Sequence, residues 1–244
     1  KRINIFKPVI ILVNTQLPEN FGAVARSMLN FNFKEVRLVS PKFTLDHEKI
    51  KPLAAGAMKV IENSKLFVTL EDAIKDLNCI FAFSARKRTI KKEVLDIPLL
   101  IKEIEALDKK NKIGIVFGPE NAGLDNQHLS LVDRLVNIKT NSQFSSINLS
   151  HSVILFCYEW FKNFETNRGI LEKKNNLIAQ KQEFLFFMNQ LEIKLEKKGF
   201  FKTLERKDNV KNKIRNIFNR NNLTKNEVDM LLGVINSLER KNFK

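Results

Sequence analysis

The chain has 244 residues, of which 43% are hydrophobic and 28% charged, so it can bury a substantial core as one large or two smaller domains. It has no apolar run of membrane-spanning length and no secretory signal pattern, so we expect no membrane partner. Its three histidines are scattered, so no metal site is expected, and Cys79 and Cys157 lie in apolar segments. Two buried cysteines favour a reducing, cytoplasmic location over a disulfide.

The net charge of +15 predicts an anionic partner, with nucleic acid as the leading candidate. The alternative is a lysine-rich composition spread evenly over a solvated surface. Residues 166–244 carry 18 Lys and Arg against 9 Asp and Glu, whereas residues 1–165 carry 24 against 18. The smaller C-terminal third therefore holds most of the excess charge.

Residues 1–165 alternate between apolar runs typical of buried strands and amphipathic stretches typical of helices. Strands are predicted at residues 8–14, 36–39, 66–68, 79–83, 113–117 and 135–138. Helices are predicted at residues 21–31, within 50–61, and at 71–77, 98–107 and about 147–161. This alternation predicts an α/β domain with a parallel sheet, whose ligands bind beyond the carboxyl ends of the strands. The loops at those ends begin at Asn14, Ser84, Gly118 and Lys139.

The apolar pattern weakens after residue 165, and we predict a linker over residues 166–180. Residues 181–244 then have only helical periodicity, with three apolar stripes, which predicts a small all-α domain. Gly199 follows two lysines and is predicted to end the first of these helices.

Several enzyme classes lose support because their motifs are missing. The chain has no G-x-S-x-G nucleophile elbow, no phosphate-binding P-loop and no G-x-G-x-x-G after a strand. Glycine- and serine-rich loops remain to be explained, and so does one arginine, Arg26, inside the first predicted helix.

Three short motifs account for them. Residues 20–26 (NFGAVAR), 117–124 (FGPENAGL) and 146–150 (SINLS) resemble, in order, motifs 1, 2 and 3 of the SpoU branch of the SPOUT methyltransferases. Residues 53–56 (LAAG), 84–89 (SARKRT), 199–200 (GF) and 212–218 (NKIRNIF) are similar to the TrmJ-type tRNA ribose methyltransferases. Each motif is weak alone, but together they cover nearly the whole chain.

This resemblance implies a parallel-sheet SPOUT domain with a C-terminal trefoil knot, acting as a homodimer. It also implies S-adenosylmethionine-dependent 2′-O-methylation of nucleotide 32 in the anticodon loop of tRNA. One alternative is a SpoU-type ribose methyltransferase that acts on rRNA or on another tRNA position. Another is a non-catalytic RNA-binding protein of the same fold.

The resemblance also implies roles for particular residues. The catalytic set would be Arg26, Asn20, Ser146, Asn148 and Glu120. The cofactor contacts would be Phe83, Ser84, Ala85, Gly118, Ile138, Ser145, Ser146 and Ile147. The RNA contacts would be Arg86, Lys87, Arg88, Lys213 and Arg215.

The residue types themselves leave some of these roles open. Asn20 could cap the first helix or contact the site, and Asn148 could simply cap the last one. Glu120 could hold loop backbone or meet Arg26 of a partner subunit. Arg26 is often regarded in this family as the base, but a guanidinium stays charged in proteins. We therefore interpret Arg26 as an anchor for the adjacent phosphate and for negative charge on the 2′-oxygen.

Overall fold

The computed structural model describes residues 7–84, 92–166, 177–201, 204–220 and 222–238. The strands are β1 (Val9–Val13), β2 (Val36–Val39), β3 (Lys65–Phe67), β4 (Cys79–Phe83), β5 (Val94–Leu95), β6 (Ile113–Phe117) and β7 (Arg134–Val136). The helices are α1 (Pro18–Asn30), α2 (Ile50–Ala54), α3 (Met58–Glu62), α4 (Leu70–Ile74), α5 (Ile97–Ala106), α6 (Asn126–Ser130), α7 (Leu149–Trp160), α8 (Lys181–Lys197), α9 (Leu204–Asn219) and α10 (Lys225–Ser237). A π-helix, Phe161–Thr166, continues α7.

The strands form one parallel sheet in the order β3-β2-β1-β6-β4-β7-β5. Apolar side chains cover both of its faces, as the continuous runs predict. In β1, Ile10 and Leu12 point into one apolar cluster, and Ile11 and Val13 point into the other. The α/β class with a parallel sheet is thus confirmed.

The late strand β6 lies between β1 and β4, so the strand order changes direction there. Such a switch point leaves a crevice at the carboxyl ends of the strands. The loops that follow β4, β6 and β7 meet at this edge of the sheet, which is where the sequence places two of the three motifs.

The structure corrects some predicted elements. The predicted helix within 50–61 is two helices, because Ala55 and Gly56 have φ values of 44° and 90°. The two-residue strand β5 and the five-residue α6 were missed, since such short segments carry no measurable periodicity.

The three C-terminal helices share an apolar cluster of their own, centred on Phe184, Phe187, Met188 and Val228. Gly199 lies two residues after Lys197, the last residue of α8, with φ at 68°, so its predicted position at the helix end is confirmed. Within the described ranges, no helix is long and apolar enough to cross a membrane. Among the same residues, no group of three or more potential metal ligands gathers.

Candidate active site

A cleft of about 310 Å³ opens at the carboxyl ends of β4, β6 and β7. Phe83 and Phe117 line it with their rings stacked at 4.6 Å between centroids. Of the eight residues predicted to contact a cofactor, seven line this cleft: Phe83, Ser84, Gly118, Ile138, Ser145, Ser146 and Ile147. The eighth, Ala85, lies outside the described residues. The cleft is large enough for a small ligand and has both polar and apolar walls.

Side-chain hydrogen bonds join the three motifs to one another. Nδ2 of Asn20 donates to Oε1 of Glu120 at 2.7 Å, and Oδ1 of Asn20 accepts from Nδ2 of Asn148 at 3.0 Å. Oδ1 of Asn148 accepts from the backbone N–H and the hydroxyl of Ser150, both at 2.8 Å. Oε2 of Glu120 accepts from the backbone N–H of Gln16 at 3.1 Å. This motif network fixes the loop after β6 and the start of α7, which both line the cleft.

The network shows what Asn20, Asn148 and Glu120 contact within one chain. The N-cap prediction for Asn20 is wrong, because α1 begins at Pro18 and Asn20 lies inside its first turn. Proline at the first helical position presets φ, so the helix starts early and the Asn20 amide is available to the other motifs. Asn148 does cap α7, and Glu120 does hold loop backbone. The helix begins at Leu149, slightly later than the predicted start near residue 147, so Ser146 lies in the loop before it.

Gly118 is required by the packing of its own loop. A Cβ at this position would lie 2.6 Å from the backbone nitrogen of Leu124 and 2.8 Å from the carbonyl carbon of Gly123. A Cβ at this position would therefore push the loop that forms the wall of the cleft. The glycine therefore sets the shape of the cleft through backbone contact.

Comparisons with known proteins agree with this geometry. The model of the SpoU rRNA methylase family matches residues 7–158. The chain belongs to the SpoU family. It is 34% identical to a tRNA (cytidine-2′-O-)-methyltransferase, TrmJ, of Methanocaldococcus jannaschii, over 72% of this chain and 80% of that protein. The tRNA (cytidine/uridine-2′-O-)-methyltransferase TrmJ of Klebsiella pneumoniae is 31% identical, over 96% of each chain.

Solved structures place the same fold over nearly all of the chain. The crystal structure of TrmJ from Z. mobilis ZM4 matches with a TM-score of 0.87 and 33% identity, over 96% of this chain and 100% of that one. A probable methylase family protein of Haemophilus influenzae matches with a TM-score of 0.63 and 28% identity, over 95% of each chain. Like other SpoU family members, the chain is an enzyme of the RNA ribose methyltransferase class.

Arg26, the arginine of SpoU motif 1, does not line the cleft of its own chain. It lies on the exposed side of α1, whereas Gly22, one turn earlier, is buried. A Cβ on Gly22 would lie 2.4 Å from the carbonyl oxygen of Ile50, so this motif glycine lets α1 pack closely on α2. Within one chain motifs 2 and 3 therefore line the cleft, and motif 1 is joined to them through Asn20 while its arginine faces outwards.

The predicted RNA contacts are only partly described. Arg86, Lys87 and Arg88 lie outside the described residues. Lys213 is exposed on α9, but Arg215 is held by Glu192 of α8, with Nε donating to the carboxylate at 2.7 Å. Arg215 thus has a packing role that its sequence position does not reveal.

Sequence reasoning missed Gln16 and Ser150. Gln16 contributes only a backbone N–H, which has no sequence signal, and Ser150 is a buried hydroxyl in a helix whose other buried positions are apolar. The one available signal for Ser150 was its place in motif 3.

Both cysteines are buried, as predicted, and burial raises the pKa of each thiol.

A double-mutant cycle on the motif network tests its strength. We expect Asn20→Ala to lower the free energy of unfolding by about 1–3 kcal/mol, because it removes two side-chain hydrogen bonds, one to Glu120 and one from Asn148. Combined with Asn148→Ala, the coupling energy should be about 0.5–3 kcal/mol by urea unfolding. Asn63→Ala, at an exposed position, is the control. Its effect on the free energy of unfolding should simply add to that of Asn20→Ala. If the effects of Asn20→Ala and Asn148→Ala on the free energy of unfolding were additive, that result would contradict the motif network.

Lys92 provides a pH-dependent prediction. Its ammonium is buried and donates to the carbonyl oxygen of Val132, and burial lowers the pKa of Lys92 to about 7. Between about pH 7 and pH 10 the unfolded chain therefore holds a proton that the folded chain lacks, so stability rises with pH. The difference in free energy of unfolding between Lys92→Met and the native chain should favour the variant most below pH 7. This difference should shrink as the pH rises towards 10. Urea unfolding across this range measures it, and the exposed Lys59→Met should give a difference that does not vary with pH.

Proposed function

We propose that the protein transfers a methyl group from S-adenosylmethionine to the ribose 2′-oxygen of nucleotide 32 in the tRNA anticodon loop. The observation that carries the proposal is that motifs 2 and 3 of the SpoU family line one cleft and that motif 1 is hydrogen-bonded to both of them through Asn20. The TrmJ relatives, aligned over nearly the full chain, support tRNA as the substrate. Nucleotide 32 follows from the TrmJ-type motifs in the sequence.

The cleft has the chemistry to hold the cofactor. Gly118 and Pro119 come from the loop after β6, and Ser145, Ser146 and Ile147 from the loop before α7. Together these loops offer backbone amides, hydroxyls and apolar surface, which suits a ligand with a nucleoside and an amino acid part. When bound, S-adenosylmethionine supplies an electrophilic methyl group. The chain's own part is to hold the two loops at a fixed separation and exclude water.

Positioning is the main catalytic task, because transfer requires the 2′-oxygen to approach in line with the breaking bond. Glu120, Asn20 and Asn148 serve it by fixing the walls of the cleft. Arg26 would hold the phosphate beside the target ribose and stabilise negative charge as the 2′-hydroxyl loses its proton. Because Arg26 faces away from its own cleft, we propose that it serves the cleft of a second subunit.

A homodimer is part of this proposal. Leu29 on α1 and Leu155 and Tyr158 on α7 are exposed apolar residues on two adjacent helices, which suits a subunit contact.

The trefoil knot is also proposed, supported by the chain leaving β7 and returning to pack α7 against α1. We place the domains at residues 1–165 and 181–244 with a linker over 166–180, and the enzyme in the cytoplasm, with its substrate.

The cations of α9 divide into two faces, and one of them suits RNA. Lys207, Lys211 and Arg215 face Glu192 and Glu196 of α8. The other face carries three exposed cations at spacings of seven residues, which places them in one row. This basic face consists of Arg206, Lys213 and Arg220. A row of exposed cations along one helix can track an RNA backbone.

Neutralising the basic face should weaken tRNA binding and its salt dependence together. For the triple variant Arg206→Gln, Lys213→Gln and Arg220→Gln, three phosphate contacts are lost. We therefore expect the negative slope of log K against log salt to become shallower by about 2. Filter binding at several salt concentrations measures the slope. The charge-matched control neutralises Lys34, Lys59 and Lys110, which are exposed elsewhere. Equal slopes for the two triple variants would mean that the basic face does not contact the RNA phosphates.

The decisive experiment is to map ribose methylation. Purified protein, S-adenosylmethionine and unmodified tRNA should give a 2′-O-methyl group at nucleotide 32, detected as resistance of that linkage to alkaline cleavage. Methylation of rRNA or of another tRNA position under the same conditions would favour a different SpoU specificity. RNA binding with neither cofactor binding nor methylation would favour the non-catalytic alternative.

A further inference from the structure

A buried ionic cluster ties the C-terminal helices to the sheet at its amino edge, opposite the cleft. Nζ of Lys181, the first residue of α8, donates to Oδ1 of Asp133 at 2.6 Å and to Oδ1 of Asn219 at 3.0 Å. Nδ2 of Asn219 in turn donates to the carbonyl oxygen of Ser130 at 2.5 Å. Lys181, Asp133 and Asn219 are each less than 5% exposed. The cluster therefore joins α8 and the end of α9 to the segment before β7.

A lysine at this position is unfavourable for the helix alone. The first turn of a helix carries partial positive charge, so a cation there is repelled, and burial adds a desolvation cost. The Asp133 carboxylate compensates, and the Phe184 ring lies 5.0 Å from the Lys181 ammonium. A residue that is costly for its own helix but fully partnered across an interface indicates a role in that interface.

Backbone contacts at the same edge reinforce the attachment. The N–H groups of Lys181 and Gln182 donate to the carbonyl oxygens of Leu77 at 2.7 Å and Lys75 at 3.0 Å. The backbone of Ile178 is bound at both ends, since Asn111 Oδ1 accepts from its N–H and Asn78 Nδ2 donates to its carbonyl oxygen. The start of α8 is thus fixed by groups that lie just before β4 and β6.

We propose that the Asp133–Lys181–Asn219 cluster is a latch that fixes the orientation of the three C-terminal helices on the sheet. Lys181 and Asn219 are then positioning residues for RNA binding, although neither contacts RNA. The inference rests on the proposed function, because the latch sets where the basic face of α9 stands relative to the cleft. Binding to a prearranged surface avoids the entropic cost of ordering it.

Hydrogen exchange and kinetics together test the latch in the full chain. In the double variant Asp133→Asn, Lys181→Met and in the single variant Asn219→Ala, the amides of Ile178 and Gln182 should exchange about tenfold faster, with the interior of α8 unchanged. KM for tRNA should rise about tenfold while kcat and S-adenosylmethionine affinity stay unchanged. The double variant leaves no unpaired buried charge, and Asn219→Ala keeps the ion pair intact.

Lys225→Met is the matched control. Lys225 is also the first residue of its helix and also pairs with a carboxylate, Glu183 at 3.0 Å, but it is exposed. Amide exchange at Ile178 and Gln182 equal to that of the control would overturn the latch, and so would faster exchange with an unchanged KM for tRNA. If the native chain methylates no tRNA, the proposed function fails, and the exchange comparison alone then decides whether the latch exists.

Discussion

Arg26→Ala should lower the rate of methyl transfer by about a thousandfold, the loss typical of removing one group that stabilises developing charge. S-adenosylmethionine affinity should be unchanged, because the proposed contacts of Arg26 are the phosphate and the ribose oxygen of the RNA and not the cofactor. The free energy of unfolding should change by less than about 0.5 kcal/mol, since the side chain is exposed. Single-turnover methylation, calorimetry with the cofactor and urea unfolding measure the three quantities.

Two further variants separate the role of Arg26 from general charge. Lys59→Ala removes an exposed helical cation on α3 and should leave the rate within about twofold. Arg26→Lys keeps the charge but loses the planar fork, so it should recover part of the rate. If Arg26 were the base, the pH–rate profile of Arg26→Lys would gain an ionisation that the native profile lacks. An unchanged profile is expected for an anchor.

Mixing defective subunits tests whether Arg26 works across a dimer. Arg26→Ala in one subunit and Gly118→Ala in the other leave one complete site if the arginine serves the partner's cleft. They leave none if it serves its own. We therefore expect activity to appear when the two inactive variants are co-expressed and purified through different tags. An inactive heterodimer would place Arg26 and the cleft in the same chain and contradict the proposed arrangement.

The long elements and the motif residues of the cleft could be predicted from sequence, because each has a local or a family signal. β1, β4 and β6 are continuous apolar runs, which are typical of strands buried on both faces of a parallel sheet. The loops that follow β4 and β6 had to meet at one edge once the sheet was parallel. Seven of the predicted cofactor contacts line one cleft. They could be predicted because the parallel topology and the motifs together placed these loops side by side.

What sequence could not give is how residues distant in the chain share hydrogen bonds. Asn20 has the residue type of a helix cap, and only the early start of α1 shows that its amide joins Glu120 to Asn148. Likewise Lys181 looks like one more surface lysine in a basic segment. Its burial follows from the packing of α8 on the sheet, which no local pattern encodes.

Gly118→Ala should weaken S-adenosylmethionine binding by about a hundredfold, or roughly 2.8 kcal/mol. The added Cβ would lie 2.6 Å from the backbone nitrogen of Leu124, and backbone cannot yield as a flexible side chain can. The loop must shift, and with it the wall of the cleft that Pro119 and Glu120 form. Overpacking of this kind also costs about 1–3 kcal/mol of stability.

Gly233→Ala is the matched control for this effect. A Cβ at Gly233 meets nothing within 4 Å, and the residue lies inside α10, so alanine should stabilise the chain by up to about 1 kcal/mol. Calorimetry should find its cofactor affinity equal to that of the native chain. Normal cofactor affinity in Gly118→Ala would mean that the loop after β6 does not wall the cofactor site. Because the same loop carries Glu120, that outcome would also remove the motif network from the cleft, and with it the observation on which the proposed function depends.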